Sequence, residues 1–479
     1  MKRNRSACRR APILAVAPAA LLALALVPRP ARAEASVSVN GYASGRLEYT
    51  APRLDVTLAA FAVAPEWRFL LEGNVQLRLK YSDRYDLYAD ASAFYSNFIG
   101  ALDSSNASLR HNTFLVNELY QNFGFHEHLT GLAGKKRVIW GTGFAWNPAD
   151  ILNVAKDPTD PALQRVGAWL AELEVPFARW TVSALFAPEV LATEAGLPRT
   201  VMFDADDHAH YLLGARAYAL LLDSDVTLMY YFTDRYADAL RHRSHFGASF
   251  ARYFFTDYEL HFEGLAHLGS TRAVVNPDCL GDPGVEGDEA LALLGCVLQD
   301  PPAVMAQPDL DQKKLFVRFL VGTRYTFKDS SLLSVEYYYN GEGLTRAEFA
   351  DRTALFDNAA ALLAAAPPGA PLGDPAALLG GGGGGEAGTP ARVRFEPARR
   401  HYLFISYMKP QIRDDFTWMV TLIAGLEDLS VLAASSLTWS AKEWLQFVAF
   451  VSVPLGTKDS EFGALPQWAR LSLEAKVFY

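Results

Sequence analysis

In the stretch Trp67-Arg68-Phe69-Leu70-Leu71-Glu72-Gly73-Asn74-Val75-Gln76-Leu77-Arg78-Leu79-Lys80-Tyr81, apolar and polar residues alternate. Trp67, Phe69, Leu71, Gly73, Val75, Leu77, Leu79 and Tyr81 form one face; Arg68, Glu72, Asn74, Gln76, Arg78 and Lys80 form the other. A period of two is that of a β-strand, whose successive side chains point to opposite sides. Ser82-Asp83-Arg84 follows as a tight polar turn, and then Tyr85, Leu87, Ala89, Ala91, Ala93 and Tyr95 alternate with Asp86, Asp90 and Ser92. Two long alternating strands around a short turn predict a hairpin. Aromatic residues at the strand ends suit the two interfaces of a bilayer.

The same unit recurs to the end of the chain, for example at Trp180-Val182-Ala184-Phe186, Val226-Leu228-Tyr230-Phe232, Leu315-Val317-Phe319-Val321 and Leu445-Phe447-Ala449-Val451. Eighteen strands are expected, near 36–49, 67–81, 84–98, 112–125, 128–139, 164–175, 178–187, 208–220, 224–235, 243–255, 257–269, 313–327, 330–341, 400–410, 415–426, 428–439, 442–453 and 468–479. Sixteen is the alternative count. Short turns and long loops alternate between these strands, the longest loops at 140–163, 270–312 and 342–399. That alternation fits a barrel with short turns in the periplasm and long loops outside, and it places both termini in the periplasm. The chain ends with Leu471, Leu473, Ala475, Val477 and Tyr479 on one face. As the edge of an open sheet this strand would invite aggregation; closure onto the first strand removes the edge. The expected fold is therefore all-β: a transmembrane antiparallel up-and-down β-barrel over 34–479.

Residues 1–33 read as a cleaved signal peptide. Lys2, Arg3, Arg5, Arg9 and Arg10 precede the apolar run Ala11 to Val27, and Ala31-Arg32-Ala33 is a small-x-small cleavage site. No other stretch reaches the roughly 18 apolar residues of a membrane helix. Yet the chain is 51% hydrophobic and 12% aromatic, with mean hydropathy +0.05. Alternating lipid-facing and lumen-facing residues reconcile the two observations. The net charge of −9 becomes −16 once the seven basic residues of the signal are removed, which argues against nucleic acid as a partner. Cys279 and Cys296 share one Gly/Pro/Asp-rich stretch and are expected to pair as a disulfide in an exported protein. Ala-rich 353–366 suggests a short helix, and Gly380 to Gly385 a flexible outer loop.

No nucleophile elbow, zinc-protease helix, phosphate loop or metal-spaced Cys/His cluster is present, so no enzyme and no cofactor are expected. His208 and His210 share a strand face beside Asp204, Asp206 and Asp207, as either a hydrated rim or a divalent-metal pair.

The most distinctive stretch is Gly134-Lys135-Lys136-Arg137-Val138-Ile139-Trp140-Gly141-Thr142-Gly143-Phe144-Ala145-Trp146-Asn147-Pro148-Ala149-Asp150, followed by Lys156-Asp157-Pro158-Thr159-Asp160-Pro161. It resembles the strand-plus-loop pattern G-(R/K)-Q-x-x-x-W-G…N-P-x-D of porin-like and alginate-export-like outer-membrane barrels, with Lys136 where that pattern often has Gln. The resemblance implies that this third external loop folds into the lumen and narrows it, the alternative being a loop packed on the rim. Trp140, Phe144 and Trp146 then serve as anchors, and Asp150, Lys156, Asp157 and Asp160 supply charge.

The polar strand faces carry Arg68, Arg78, Lys80, Lys135, Arg137, Arg179, Arg216, Arg318, Arg324, Arg470 and Lys476, against Glu72, Asp86, Asp90, Glu118, Glu172, Glu174, Glu259, Glu263, Glu336 and Glu474. They either set a transverse field across a pore or pair along its wall. The pore-lining or constriction set is Arg68, Arg78, Lys135, Arg137, Asp150, Asp157, Arg216, Glu259, Glu263, Arg318, Arg324 and Glu336. The expected function is passive or facilitated passage of small hydrophilic or anionic solutes in the bacterial outer membrane, with polysaccharide export or surface glycan binding as the alternative. Expected partners are outer-membrane lipid and lipopolysaccharide, the solutes, and the barrel-assembly machinery through Tyr479; homo-oligomerisation stays open.

Overall fold

The computed structural model describes residues 35–56, 66–99, 111–153, 156, 158–159, 166–192, 197–201, 208–234, 243–270, 272–281, 288–297, 304–307, 313–365 and 397–479. Residues 1–33, expected to be a signal peptide, and Asp157, Asp160, Asp204, Asp206, Asp207 and the glycine run 380–385 lie outside these residues.

The strands, in chain order, begin with β1 (Ser36–Pro52), β2 (Trp67–Ser82), β3 (Tyr85–Ile99), β4 (His111–His126), β5 (Leu129–Lys136), β6 (Ala168–Pro176) and β7 (Trp180–Pro188). A small outer hairpin, β8 (Val190–Ala192) with β9 (Pro198–Val201), precedes β10 (Tyr211–Leu221), β11 (Ser224–Asp234), β12 (Arg243–Phe254) and β13 (Tyr258–Leu268). A second one, β14 (Val274–Val275) with β15 (Met305–Ala306), precedes β16 (Leu315–Thr326) and β17 (Leu332–Asn340). The chain closes with β18 (His401–Ile412), β19 (Phe416–Gly425), β20 (Val431–Lys442), β21 (Leu445–Leu455) and β22 (Gln467–Phe478).

Leaving aside the two outer hairpins, these are eighteen strands, each within four residues of its expected bounds, and the sixteen-strand alternative is excluded. Each is antiparallel to its sequence neighbours, and β1 pairs with both β2 and β22, so the sheet closes without an edge. Closure is completed by the last residue. The Tyr479 backbone exchanges hydrogen bonds with Gly41, and its hydroxyl donates to the Asn74 carbonyl at 2.9 Å. A Cβ on Gly41 would overlap the Tyr479 ring, so glycine is what lets the terminal aromatic lie across the seam.

The outer face of the wall is apolar and exposed: Val75, Phe186, Leu228, Phe246, Phe262, Leu437 and Leu473 all point outward. Among the described residues no helix is long and apolar enough to cross a membrane. The hairpins at one end turn without Asn-Gly pairs. Leu222 and Asp223 both take positive φ between β10 and β11, the geometry a two-residue turn needs to match strand twist.

One correction concerns the third long loop. β5 stops at Lys136 and β6 starts at Ala168, so the loop runs from 137 to 167 and is longer than the expected 140–163. Lys136 turns inward, its ammonium 5.0 Å above the Tyr120 ring, and Lys135 beside it is buried.

Candidate functional site: the loop inside the lumen

The inner face of the wall is not uniformly polar. On β10, β11, β13, β16, β18 and β19 it carries Leu212, Met229, Tyr231, Leu265, Leu320, Phe404 and Ile423, all buried. What buries them is loop 137–153. Trp140 packs with Leu132, Leu185, Leu212, Met229, Tyr231 and Leu265, its ring stacked at 5.5 Å on Tyr231. Trp146 joins Leu320, Tyr338, Tyr402, Phe404 and Ile423, stacked at 5.0 Å on Tyr338. Phe144 stands beside Phe404 at 5.8 Å and under the Arg324 guanidinium. The loop therefore lies within the barrel, and its three aromatics are the anchors expected of them.

Between the tryptophans the loop hangs on two carboxylates of the wall. Glu263, sixth of the eleven residues of β13, accepts from the backbone N–H of Thr142 at 2.6 Å, Gly143 at 3.0 Å and Ala149 at 2.8 Å, and from Asn147 Nδ2 at 3.2 Å. Glu336, fifth of the nine residues of β17, accepts from the N–H groups of Phe144 at 2.5 Å and Ala145 at 2.7 Å, and lies 2.9 Å from His261 Nε2. A loop buried off the wall has no ladder for its N–H groups, and each one left unpaired costs ~1–3 kcal/mol. Hydrogen bonds to charged acceptors are stronger, each contributing ~1.5–3 kcal/mol. The converging amides are also what allows Glu263 to be fully buried without a cation beside it. Since both carboxylates sit midway along their strands, the loop narrows the lumen at about mid-height. Glycine is obligatory at 143, where a Cβ would meet the Trp146 carbonyl.

The far side of the loop is tied by its own polar residues. Asp150 accepts from the Asn153 backbone at 3.1 Å and from Asn153 Nδ2, which also donates to the Val138 carbonyl at 2.6 Å. Lys156 Nζ reaches the Gly143 carbonyl at 2.7 Å. Asp150 and Lys156 thus shape the loop, in addition to any charge they show the lumen.

Several of the remaining candidates are ion-paired along the wall. Arg78 meets Asp86 at 2.9 Å, Arg137 meets Glu118 at 2.8 Å, Arg216 meets Glu174 at 3.3 Å and Arg324 meets Glu259 at 3.6 Å. Arg68 donates to Ser96 at 3.1 Å. Arg318 and Arg470 make no ion pair or hydrogen bond among the described residues, and Arg470 lies over the Phe450 ring at 5.2 Å. His210 is buried against Asp234 at 3.3 Å; among the described residues no group of His, Cys, Asp and Glu has a metal-holding arrangement.

Sequence reasoning missed a buried polar knot on the opposite wall. Asn74 and Asn117 both donate to Asp90 Oδ1, at 2.7 and 2.9 Å, and both reach Ser92; the Tyr42 hydroxyl donates to Glu72 at 2.6 Å. It also missed the docking aromatics Tyr231, Tyr338, Tyr402 and Phe404. Their signal was present: Leu228-Met229-Tyr230-Tyr231-Phe232 and Tyr402-Leu403-Phe404-Ile405 are apolar on both faces, which a water-facing inner wall would not be.

At the long-loop end, Cys279 and Cys296 form the expected disulfide, within a small apolar cluster that includes Val275, Leu293, Val304, Leu355 and Ala359. Cys296 lies on helix α1 (Asp288–Val297), and Leu355 and Ala359 lie on α2 (Arg346–Ala365), which is longer than the expected 353–366 helix at its start. A capping box begins α2: Thr345 N–H donates to Glu348, and Glu348 N–H to Thr345 Oγ1. Arg272 grips Glu348 through both terminal nitrogens at 2.9 and 3.0 Å. Beneath the helix, Arg399 stacks on Phe349 at 4.5 Å and bonds Glu427, while Glu461 accepts from the Tyr402 hydroxyl at 2.6 Å and Ala398 N–H at 3.0 Å. Desolvation pushes the Glu461 carboxyl up to about 7, against the pull of these donors and of Arg352. Glu342 behaves oppositely: burial would raise it, but His267, Ser270 and Arg318 bring it down to about 2.

No family model matches the chain, and no characterised protein matches it in sequence. Among solved structures it is similar to OccAB1 of Acinetobacter baumannii, at 10% identity over 92% of this chain and 96% of that one, with a TM-score of 0.49. It is similar also to a mutant porin of Rh. blastica, at 9% identity over 93% and 100% with a TM-score of 0.38, and to Salmonella typhi OmpF in complex with daunomycin, at 8% over 92% and 97% with a TM-score of 0.39. The likeness is one of barrel architecture only.

Proposed function

We propose that the protein is a porin-like channel of the bacterial outer membrane that passes small hydrophilic solutes by diffusion, with no chemical step. The observation that carries this reading is the latched loop: residues 137–153 pack on the apolar part of the inner wall at mid-height and touch the polar part through Arg137 on Glu118. A closed sheet pairs all its backbone groups internally, which hydrocarbon demands, and the exposed Phe246, Phe262, Leu228 and Leu473 suit contact with lipid tails. With eighteen strands, side chains alone do not fill the centre, and the loop becomes the part that sets the passage. The aromatic Tyr479 at the closing seam is the residue assigned to recognition by the assembly machinery.

The test is single-channel recording of the purified protein in a planar bilayer. Discrete, stable openings are expected. A folded barrel that stays silent across voltages overturns the reading and turns attention to glycan binding by the α1–α2 region.

A further inference from the structure

The inner wall carries similar numbers of acids and bases, but the two signs do not lie at the same depth. In the Arg78–Asp86 pair the base is 59% exposed and the acid 16%; in Arg324–Glu259 the values are 30% and 9%. Arg46 and Lys476 likewise stand farther out than the Glu474 they share, and Arg137 farther than Glu118. Three more acids, Asp90, Glu263 and Glu336, are fully buried. Their oxygens are taken up by Asn74, Asn117 and Gln76 in the first case and by loop amides in the other two. Arg318 and Arg470 add two partly exposed guanidinium groups that make no ion pair among the described residues, Arg318 acting on Glu342 only at longer range. The order reverses on β6, where Glu174 is 35% exposed against 21% for Arg216.

The cause is side-chain length. On a concave wall a short carboxylate ends near the backbone, within reach of amides and hydroxyls, whereas arginine and lysine carry their charge several bonds further toward the axis. Opposite charges that cancel as a sum do not cancel in the water between them, because the nearer charge is screened over a shorter distance. From this layering we propose that the channel selects small anions over cations of equal size, although the chain itself is acidic; the proposal rests on the channel reading above.

The measurement is the reversal potential of the protein, purified from the membranes of an expressing host, under a KCl gradient near 0.1 M, where screening reaches only about 10 Å. A potential of the sign set by chloride is expected, shrinking when the mean salt is raised to about 1 M, where the screening length falls to ~3 Å. Arg318→Gln with Arg470→Gln, which leaves no acid without a partner, should lower the chloride-to-potassium permeability ratio severalfold. Liposome swelling needs no variant: gluconate should enter faster than glucose, and glucose faster than glucosamine. Openings with potassium preference, or equal swelling by the three solutes, overturn the anion proposal and leave the channel standing. An unchanged ratio in the double variant overturns the role given to these two arginines. Absence of any opening and of any swelling overturns the channel reading itself.

Discussion

Two arcs of one wall face the same lumen and are built differently. From β10 to β19 the inner side chains include Leu212, Met229, Tyr231, Leu265, Leu320, Phe404 and Ile423, and the chain doubles back to cover them. From β1 to β4 they include Ser44, Asn74, Asp90, Ser92, Asn117 and Glu118, buried among one another, with Arg137 of the loop reaching in to Glu118. Each arc satisfies itself in its own way: the apolar arc by packing against Trp140 and Trp146, the polar arc by hydrogen bonds within the wall.

The change expected to break this contrast most is Trp146→Ala. Removing a buried tryptophan costs ~3–5 kcal/mol, here concentrated in the loop rather than the barrel. The loop should leave the wall, the single-channel conductance should rise, and ion selectivity should weaken. Conductance equal to the parent's would show that the loop does not set the passage.

Next in size is the disulfide. Reducing Cys279–Cys296, or replacing both residues by Ser, should loosen the α1–α2 region by up to about 3 kcal/mol, as for a closed loop of similar length. Hydrogen exchange should quicken around α1 and α2 and stay unchanged in β1–β4. Exchange that quickens along the barrel as well would mean that the outer region and the wall are one cooperative unit.

A smaller effect is expected from Glu263→Gln, which leaves one acceptor oxygen for four donors and brings its own N–H groups against them. The cost should be ~1–3 kcal/mol, from amides left unpaired. Flickering of the open level should increase while the mean conductance changes little. The matching substitution on the polar arc, Ser92→Ala, removes one acceptor from Asn74 and Asn117, which keep Asp90, and should leave the recordings as they are.

The smallest and most specific effect is on pH. Glu461, raised to about 7 by burial, favours its protonated form in the folded outer region. Its contribution is present below the ordinary carboxylate range and lost as pH rises through about 7. Glu342, held near 2, contributes above that range and loses its contribution as pH falls toward 2. Amide protection around α2 should therefore decline on both sides of a maximum, and Glu461→Gln should flatten the alkaline side alone. A decline that survives in Glu461→Gln would assign it to another group.

Alternation in Trp67–Tyr81 and its seventeen counterparts was enough to read the strands, their order and which face of each meets apolar surroundings. These follow from a local rule, that neighbouring side chains point opposite ways, and a local rule is written in neighbouring residues. The candidates Glu263 and Glu336 were legible as inward carboxylates, but their role was not. What they hold is the backbone of residues more than a hundred positions away, and backbone N–H groups leave no mark in a sequence.

The same division runs through the whole molecule. The amino-acid sequence by itself determined a closed wall of sixteen or eighteen strands with an apolar outside, a disulfide between Cys279 and Cys296, and a third loop carrying three aromatics. Only the tertiary structure decided that the count is eighteen, that this loop lies inside, that its amides meet two buried carboxylates, and that in most ion pairs of the inner wall the acid lies deeper than the base. The physical reason is distance: strand periodicity is fixed between adjacent residues, whereas burial and the pairing of charges depend on which remote segments the closed barrel brings into one space.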